Sequence, residues 1–333
     1  SGLINIFLRG ASAQALVGKE LAGLSDGAAL SFGAGPTGIR FTGFAALGLE
    51  GLGMLGTLPP AGVLAGRVEP GAAMFGLTQL LRPEGLAVLE KTPALAPLIA
   101  QADASMKKET GLDLRHDALG LFTGPATVSV YLSDLEALIG QIRGSNKSIR
   151  EVLGSVGVAL TAEVREPAKM AALLEQSRAS LMSTRRMPLR TREVVVGDQS
   201  VTLFEPDRKA PTLGWGIAGS HYFYGAGVGR AERTARYLLG EPAQGEGMAE
   251  VLASGPAAEL AKEPGASVMV IRTAEVVGGL KSVLAKLSGQ AEKFGAGKVV
   301  ASVIELVGTF GDIALSVQPA ADGLEFSIRE QLQ

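Results

Sequence analysis

Residues 156–165 read V-G-V-A-L-T-A-E-V-R, and they lead into a run of helix-forming residues that extends to Met182. Alternate positions in this stretch are apolar, namely Val156, Val158, Leu160, Ala162 and Val164. A period of two predicts a strand with one buried face. Pro167 suits the first turn of a helix, and apolar residues then recur near helical spacing, namely Met170, Leu173, Leu174 and Leu181. The stretch therefore predicts a strand followed at once by a packed helix.

The same succession of apolar strand, arginine and helix-like run occurs near Arg9 and Arg272 as well as at Arg165. The intervals between these arginines are unequal, which excludes a solenoid and indicates an old, diverged duplication. Residues 193–204 and 213–224 add two successive hairpins, the pattern of an antiparallel meander. We therefore predict an α+β fold with curved, mostly antiparallel sheets, helices packed on one face, and diverged internal repeats of a strand-helix-meander unit.

Residues 141–150 form the most polar connector in the middle of the chain, with Gly144, Ser145 and Asn146 placed among basic side chains. Small and polar residues of this kind are typical of a boundary between structural units. We therefore predict an N-terminal α+β half at residues 1–145 and a C-terminal α+β half at residues 146–333. A single sheet or core shared by both halves is the alternative to two separate cores.

Composition excludes several classes of protein. The chain has 333 residues, 47% of them hydrophobic, no cysteine and a net charge of -2. Without cysteine there is no disulfide, thiolate metal site or cysteine nucleophile, and the charge disfavours binding to nucleic acid. The first strand begins directly after Ser1-Gly2, so we expect any membrane association to be due at most to an N-terminal anchor that has been removed.

The sequence motifs do not indicate a catalytic or cofactor site. Neither His116 nor His221 has a ligand-type residue at the spacing of a helical metal site. The glycines of residues 33–38 match G-x-G-x-x-G, but an alternating strand follows them where a nucleotide site needs a helix. G-A-G-V-G at residues 225–229 precedes a helix without the spacing of a nucleotide motif, so a tight turn is the alternative to an anion cradle. We therefore predict no metal, no cofactor and no catalytic residue.

Phe41 to Gly66 is a long apolar run whose one charged residue is Glu50. Its glycines and Pro59-Pro60 disfavour a continuous membrane-spanning helix. The remaining interpretations are a buried strand and loop, or an apolar lip that binds lipid or another apolar ligand. Leu52 and Leu55 are the candidate ligand-binding residues of such a lip.

Two further features are candidates for ligand binding. The first is a cluster of basic side chains, which is either a solvated loop or a site for lipid headgroups or an acidic partner. It consists of Arg185, Arg186, Arg190 and Arg192. The second is Trp215, the only tryptophan, which alternates with Gly214 and Gly216. It is either packed in a core or a platform for a ligand, and the flanking glycines are expected to leave open space beside its ring.

Several segments between Leu112 and Ile271 resemble an uncharacterised family of bacterial exported, lipoprotein-like proteins that is known only as a domain of unknown function. The resemblance is carried by G-W-G-I-A-G-S-H-Y at residues 214–222, by the helix entry from Gly225 to Arg236, and by L-A-K-E-P-G-A-S-V at residues 260–268. It implies a place in the cell envelope, as a periplasmic protein or an outer-membrane lipoprotein, with the cytoplasm as the alternative. It brings no catalytic residue.

We therefore predict a non-enzymatic envelope protein that binds an apolar ligand, in particular a lipid, or an envelope protein partner. A structural or assembly component of an envelope complex is the second hypothesis, and an enzyme with an unrecognised site is the third. These hypotheses differ in what the fold should present: an apolar surface or cavity for binding, or titratable groups that converge in a cleft for catalysis.

Overall fold

A computed structural model gives the three-dimensional structure of the chain. It describes residues 2–9, 27–35, 38–46, 60–78, 90, 96–110, 113, 117, 119–132, 156–184, 188–206, 213–243, 245, 247–253, 256–263, 267–279, 281, 302, 305, 308, 310–320 and 323–332. The structural statements below concern these residues.

A single antiparallel sheet dominates the fold. Its strands are β1 (Gly2–Arg9), β2 (Gly27–Gly35), β3 (Gly38–Ala46), β4 (Met74–Thr78), β5 (Phe122–Tyr131), β6 (Gly157–Val164), β7 (Leu189–Val196), β8 (Gln199–Pro206), β9 (Leu213–Ala218), β10 (His221–Ala226), β11 (Ser267–Ile271), β12 (Phe310–Ala320) and β13 (Gly323–Leu332). The 13 strands lie in the order β1-β2-β3-β13-β12-β11-β4-β5-β6-β10-β9-β8-β7. Every pairing in this order is antiparallel.

Helices pack on this sheet and on one another, and the first of them contacts the helix that follows β6. They are α1 (Ala96–Thr110), α2 (Pro167–Thr184), α3 (Arg230–Leu238), α4 (Met248–Ala253) and α5 (Ala257–Leu260), together with 3₁₀ helices at Ala61–Arg67 and Leu119–Leu121. Residues 273–279 are also helical. Within the ranges given above, no helix combines the length and the apolar character that crossing a membrane requires.

The predicted strand-to-helix units are confirmed at two of their three places. Strand β6 ends one residue before Arg165 and is followed by α2, and strand β11 ends one residue before Arg272 and is followed by helical residues 273–279. Residues 10–26, after β1, lie outside the described ranges. In α2 the side chains of Met170 and Leu174 are buried against Val164 of the strand just left, and Leu173 packs at the edge of that cluster. The period switch therefore predicted both elements and their contact.

The two faces of the sheet differ in what covers them. We call the face that carries Phe75, Leu77 and Val268 the inner face, and the face that carries Val128 and Met269 the outer face, because neighbouring residues of a strand point to opposite sides. On the inner face the 3₁₀ helix Ala61–Arg67, α4 and α5 form the main core over β4 and β11. Its largest apolar members are Leu64, Phe75, Leu77, Tyr131, Met248, Leu252, Leu260, Val268 and Val270.

The prediction that helices pack on one face is wrong. Helix α3 packs on the inner face, where Ala231 and Ala235 contact Leu203 and Phe223. Helix α2 packs on the outer face, against Phe204. Leu203 and Phe204 are neighbours in β8, so their side chains lie on opposite sides of the sheet. Since both are apolar and buried, this part of the sheet requires a helix on each face.

The predicted halves, residues 1–145 and 146–333, contribute strands to the same sheet. Strands β4 and β5 lie between β11 and β6, and β3 lies beside β13. The predicted boundary falls in residues 133–155, which are outside the described ranges. The division into halves therefore stays a prediction, while the strand order shows that both halves share one sheet.

Candidate functional site

The predicted site residues fall into two groups. Leu52, Leu55, Arg185 and Arg186 lie outside the described residues, so the apolar lip and half of the basic cluster stay predictions. Arg190 and Arg192 lie on β7, where both contact the buried carboxylate of Glu205 on the neighbouring strand, at 2.8 and 3.4 Å. The structure therefore places these two arginines at the edge strand of the sheet.

Arg190 and Arg192 belong to a chain of ion pairs that joins β7 to α3. Arg192 also donates to Glu232 at 2.9 Å, and Glu232 accepts from Arg236 at 3.1 Å. Burial opposes ionisation of Glu232, but these hydrogen bonds outweigh it and lower its pKa. Carboxylates of the chain itself thus occupy donors that a lipid headgroup would need. Headgroup binding by this cluster stays a prediction, and its two described arginines have a structural role.

Trp215 is packed between secondary-structure elements. Its ring stacks on Phe204, with 6.3 Å between ring centroids and 13° between ring planes, and it contacts the cluster formed by α2. Gly214 and Gly216 lie on the inner face, whereas the ring lies on the outer face, so the open space expected beside the ring stays a prediction. A Cβ atom on Gly214 would lie 3.0 Å from Ala231 Cβ, and one on Gly216 would lie 2.6 Å from the carbonyl oxygen of Thr202. These glycines allow the inner-face neighbours to approach, and the packing interpretation of Trp215 accounts for its surroundings.

Residues 225–229 form a tight strand-to-helix turn. A Cβ atom on Gly225 would lie 2.4 Å from the backbone nitrogen of Ala231, so this position requires glycine. The turn buries Arg230, which is 1% exposed, pairs with Glu69 and lies 3.8 Å from the centroid of the Tyr131 ring. Burial lowers the pKa of Arg230, with Arg233 as a second cause. The helix start therefore holds a buried cation of the chain's own, and anion binding at this turn stays untested.

A small polar cluster lies at the inner-face end of β6 and β10. Glu163 accepts a hydrogen bond from Thr123 at 2.9 Å and pairs with Arg67 at 3.5 Å. Its cross-strand neighbour is His221, whose pKa is lowered by burial first and by Arg67 second. The ion pair of Glu163 with Arg67 joins the 3₁₀ helix Ala61–Arg67 to β6. Among the described residues, Nε2 of His221 and Nη1 of Arg67 are buried without a hydrogen-bond partner.

The outer face carries a row of apolar side chains that one glycine interrupts. Residues directly opposite one another across eight neighbouring strands are Phe32, Phe41, Ile328, Leu315, Met269, Gly76, Val128 and Leu160. We call this set the apolar row. Phe32 and Met269 are each 39% exposed, and Val128 is 41% exposed. Contiguous apolar side chains that remain this accessible are typical of a binding surface.

The inner face of β2, β3, β13 and β12 holds a cavity of about 380 Å³ beside the end of α5. Three cross-strand rows line it. The middle row consists of hydroxyl side chains, Ser31, Thr42, Ser327 and Ser316. On one side of this row Arg40 lies directly opposite Arg329, and on the other side lie Phe44, Glu325 and Gln318. The cavity therefore has a basic end and an acidic end, with hydroxyl groups between them.

Polar atoms in this cavity are buried without internal partners. Ser327 is 8% exposed, and among the described residues neither its Oγ nor the Nε of Arg329 has a hydrogen-bond partner. Burial lowers the pKa of Arg329, Arg40 lowers it further, and Glu263 and Glu259 act in the opposite direction. Buried polar atoms in proteins are almost always hydrogen-bonded, so these atoms indicate a position for water or a ligand.

Sequence reasoning missed the cavity residues. The alternation of Glu325, Ser327 and Arg329 with Phe326 and Ile328 is visible in the sequence, and the usual interpretation puts the polar side in solvent. The structure buries Ser327 and leaves the apolar Val317, beside Phe326, 41% exposed. The signal was present as two polar alternations, in β3 and β13, but their pairing across the chain was not predictable from local sequence.

Comparison with known proteins adds little. No protein-family model matches the chain, and no curated protein matches it either. The chain is similar to the solved structure of TP0453 in crystal form III, with a TM-score of 0.39 and 10% identity over 83% of this chain and 80% of that one. Crystal form I of TP0453 gives a TM-score of 0.37 and 9% identity over 80% and 78% of the two chains. Likeness at this level carries no argument about function.

Proposed function

We propose that the protein is a non-enzymatic binding protein that holds an apolar ligand, in particular a lipid, against the outer face of its sheet. The observation that carries this proposal is the apolar row, whose members stay about 40% exposed at Phe32, Val128 and Met269. Leaving this much apolar surface in water has a cost of about 25 cal/mol per Å². An apolar ligand that covers the row removes that cost.

The length of the row suits an extended acyl chain. Adjacent strands lie about 4.8 Å apart, so eight strands give the row a length of roughly 34 Å. Rows on the same face of a sheet are about 7 Å apart, and one neighbouring row contains the hydrogen-bonded pair Thr78 and Ser267, whose hydroxyl oxygens are 2.9 Å apart. The same neighbouring row continues through Val317, which is 41% exposed, and Phe326. The row on the other side contains Met74, Ile271 and Ile313. The apolar row is therefore the middle of a wider apolar surface, on which an acyl chain fits lengthwise and a protein partner is the alternative.

A place in the bacterial cell envelope is part of this proposal. It is supported by the resemblance of residues 112–271 to exported, lipoprotein-like proteins. We also propose that the sheet is curved and that its strand-helix units derive from a diverged duplication, which the matching transitions at β6 and β11 favour. A protein partner, a purely structural role and an enzymatic role are the alternatives that the following experiment has to distinguish.

The experiment places a charge on the apolar row and measures lipid binding. Val128→Asp and Met269→Asp change side chains that are 41% and 39% exposed, so both variants should fold. Each should weaken binding of a fluorescent fatty acid by about tenfold or more, since a carboxylate is strongly disfavoured against an acyl chain. Val63→Asp is the matched control, because Val63 is 67% exposed and belongs to the 3₁₀ helix on the inner face.

Two outcomes would count against lipid binding. Equal binding by the row variants and by Val63→Asp would remove the apolar row as the site. A wild-type protein that binds no fatty acid and carries no lipid in native mass spectrometry after purification from its own host would favour the partner or structural alternatives.

A further inference from the structure

The cavity on the inner face has the size and position of a second site. Its volume of about 380 Å³ lies within the range of roughly 300–1,000 Å³ that small-molecule sites occupy. It uses the same strands as one end of the apolar row, but the side chains of Arg40, Thr42, Ser327 and Arg329 alternate with those of the row along β3 and β13. The cavity is therefore separated from the apolar row by the thickness of the sheet.

Two arginines define the basic end of the cavity. Arg40 and Arg329 are directly opposite each other on neighbouring strands, an arrangement in which like charges repel and destabilise the sheet. An oxyanion between them would relieve that repulsion and accept hydrogen bonds from both guanidinium groups. The Nε of Arg329 is buried and has no hydrogen-bond partner among the described residues, so at least one donor is available for it.

The hydroxyl row supplies a second, independent observation. Thr127 and Thr161 are inner-face neighbours on β5 and β6, and their hydroxyl oxygens lie 2.7 Å apart in a buried hydrogen bond. In the cavity, by contrast, Ser327 is only 8% exposed, and its Oγ has no hydrogen-bond partner in the part of the chain that the structure describes. A buried hydroxyl that faces a cavity without a partner indicates that an external group completes it.

The carboxylates of the cavity indicate which groups the ligand carries besides its oxyanion. Glu325 lies four residues from Arg329 on β13, which places the two about 14 Å apart along the strand. Glu263 also lines the cavity and, with Glu259, acts electrostatically on Arg329, so it offsets part of the charge at the arginine end, whereas Glu325 lies at the other end. Glu259 itself pairs with Lys262 at 3.1 Å. A plain anion would use only the basic end. A molecule with an oxyanion at one end and hydroxyl or amino donors at the other matches the whole cavity.

We propose that this cavity binds a small molecule that carries an oxyanion, such as a phosphate ester of a polyol or amino alcohol, with the oxyanion held by Arg40 and Arg329. Ser327 and Thr42 hydrogen-bond its middle, and Glu325 accepts from its hydroxyl or amino group. The site is additional to the lipid surface of the outer face and does not depend on it. The same chemistry occurs in a soluble phosphate ester and in a phospholipid headgroup.

Titration calorimetry of the full chain with inorganic phosphate, glycerophosphate and phosphoethanolamine tests the site. We expect glycerophosphate and phosphoethanolamine to bind more tightly than phosphate alone. Arg329→Gln and Arg40→Gln should each weaken binding by about tenfold or more, the usual effect of losing a charge-assisted hydrogen bond. Arg178→Gln, which removes an arginine paired with Glu175 on α2 at 2.5 Å, should leave binding unchanged.

Additional measurements distinguish a soluble phosphate ester from a phospholipid headgroup. Vesicles of phosphatidylglycerol that bind in an Arg329-dependent manner, with phosphatidylcholine as reference, would identify the ligand as a lipid headgroup. Ser327→Ala is the second variant if Arg329→Gln does not fold, and it should also weaken binding. Equal affinities of Arg40→Gln, Ser327→Ala and the wild type, or no binding of any phosphate compound at millimolar concentration, would overturn the proposal. Val128→Asp should still bind phosphate compounds at this cavity. A failure of the cavity proposal is therefore distinguishable from a failure of the lipid-binding proposal for the outer face.

Discussion

The two ends of the sheet are built from similar alternating strands but are covered differently. At the packed end, formed by β7 to β10, helices lie on both faces. Phe223 on the inner face is 0% exposed, and Phe204 on the outer face is 5% exposed. At the open end, formed by β2, β3, β12 and β13, Phe32 is 39% and Val317 41% exposed on the outer face, and the inner face borders a cavity. The difference indicates that the packed end stabilises the fold, and the open end is where the proposed ligands would bind.

Glycine shows the same division. Gly214, Gly216 and Gly225 at the packed end let a helix, an aromatic ring or the next strand approach so closely that a Cβ atom would collide with its neighbours. At the open end Gly43 has a different role, because the ring of Phe326 lies over it on the outer face. Close packing at one end thus depends on backbone approach, whereas at the other end an aromatic side chain fills the space on the sheet surface. Variants that compare the two ends follow from this difference.

The largest effect is expected at the buried cation of the packed end. Glu69→Gln removes the carboxylate that pairs with Arg230, which is 1% exposed. Breaking a buried ion pair by removing one partner typically costs about 3–5 kcal/mol of folding free energy, and urea denaturation measures it. The control is Glu241→Gln, which breaks a pair with Arg236 where the side chains are 44% and 38% exposed. That exposed pair should contribute little to stability, and equal losses in both variants would contradict a buried charge at Arg230.

A pair of identical substitutions compares the two ends directly. Leu203→Ala acts at the packed end, where the side chain is 1% exposed, and should destabilise the protein by about 2–5 kcal/mol. Leu315→Ala acts in the apolar row, where the side chain is only partly buried, and should cost about 1 kcal/mol, since fewer buried methylene groups are lost. Chemical denaturation midpoints check both values. If Leu315→Ala proved as costly as Leu203→Ala, the row would be part of the core and not a binding surface.

The smallest effect concerns pH. The pKa of Glu232 lies below its ordinary value of 4.5, because hydrogen bonds from Arg192 and Arg236 outweigh the effect of burial. A carboxyl group with a lowered folded-state pKa stabilises the fold fully above pH 4.5, and that stability is lost as the pH falls through the folded-state pKa. Glu232→Gln should therefore reduce the acid-induced loss of stability, by less than about 1 kcal/mol because the pair is partly exposed.

The matched control for the pH measurement is Glu175→Gln, in an exposed pair on α2 whose carboxylate is 50% exposed. Thermal unfolding of both variants and of the wild type across the acidic range gives the comparison. Identical slopes for Glu232→Gln and the wild type would show that the ion pairs between β7 and α3 do not persist in solution.

The sequence by itself determined the elements whose signal is local. The alternation from Val156 to Val164 and the helical spacing of Met170 and Leu174 predicted β6, α2 and their contact, because residues near in sequence meet whatever the rest of the chain does. The same reasoning predicted the turn at residues 225–229, where Gly225 admits the backbone of Ala231. It also predicted an α+β fold with a mostly antiparallel sheet.

Only the tertiary structure decided which strands are neighbours and which face of each is covered. Arg40 and Arg329 come from opposite ends of the chain, and Thr78 meets Ser267 at a separation of 189 residues. No local pattern specifies such pairs, since a strand's alternation is satisfied by any partner of matching register. The same polar alternation therefore leads to solvent in one strand and to a cavity in another. Whether a strand face meets solvent or a cavity depends on which helix packs over that face. Both the cavity and the exposed apolar row result from this tertiary packing.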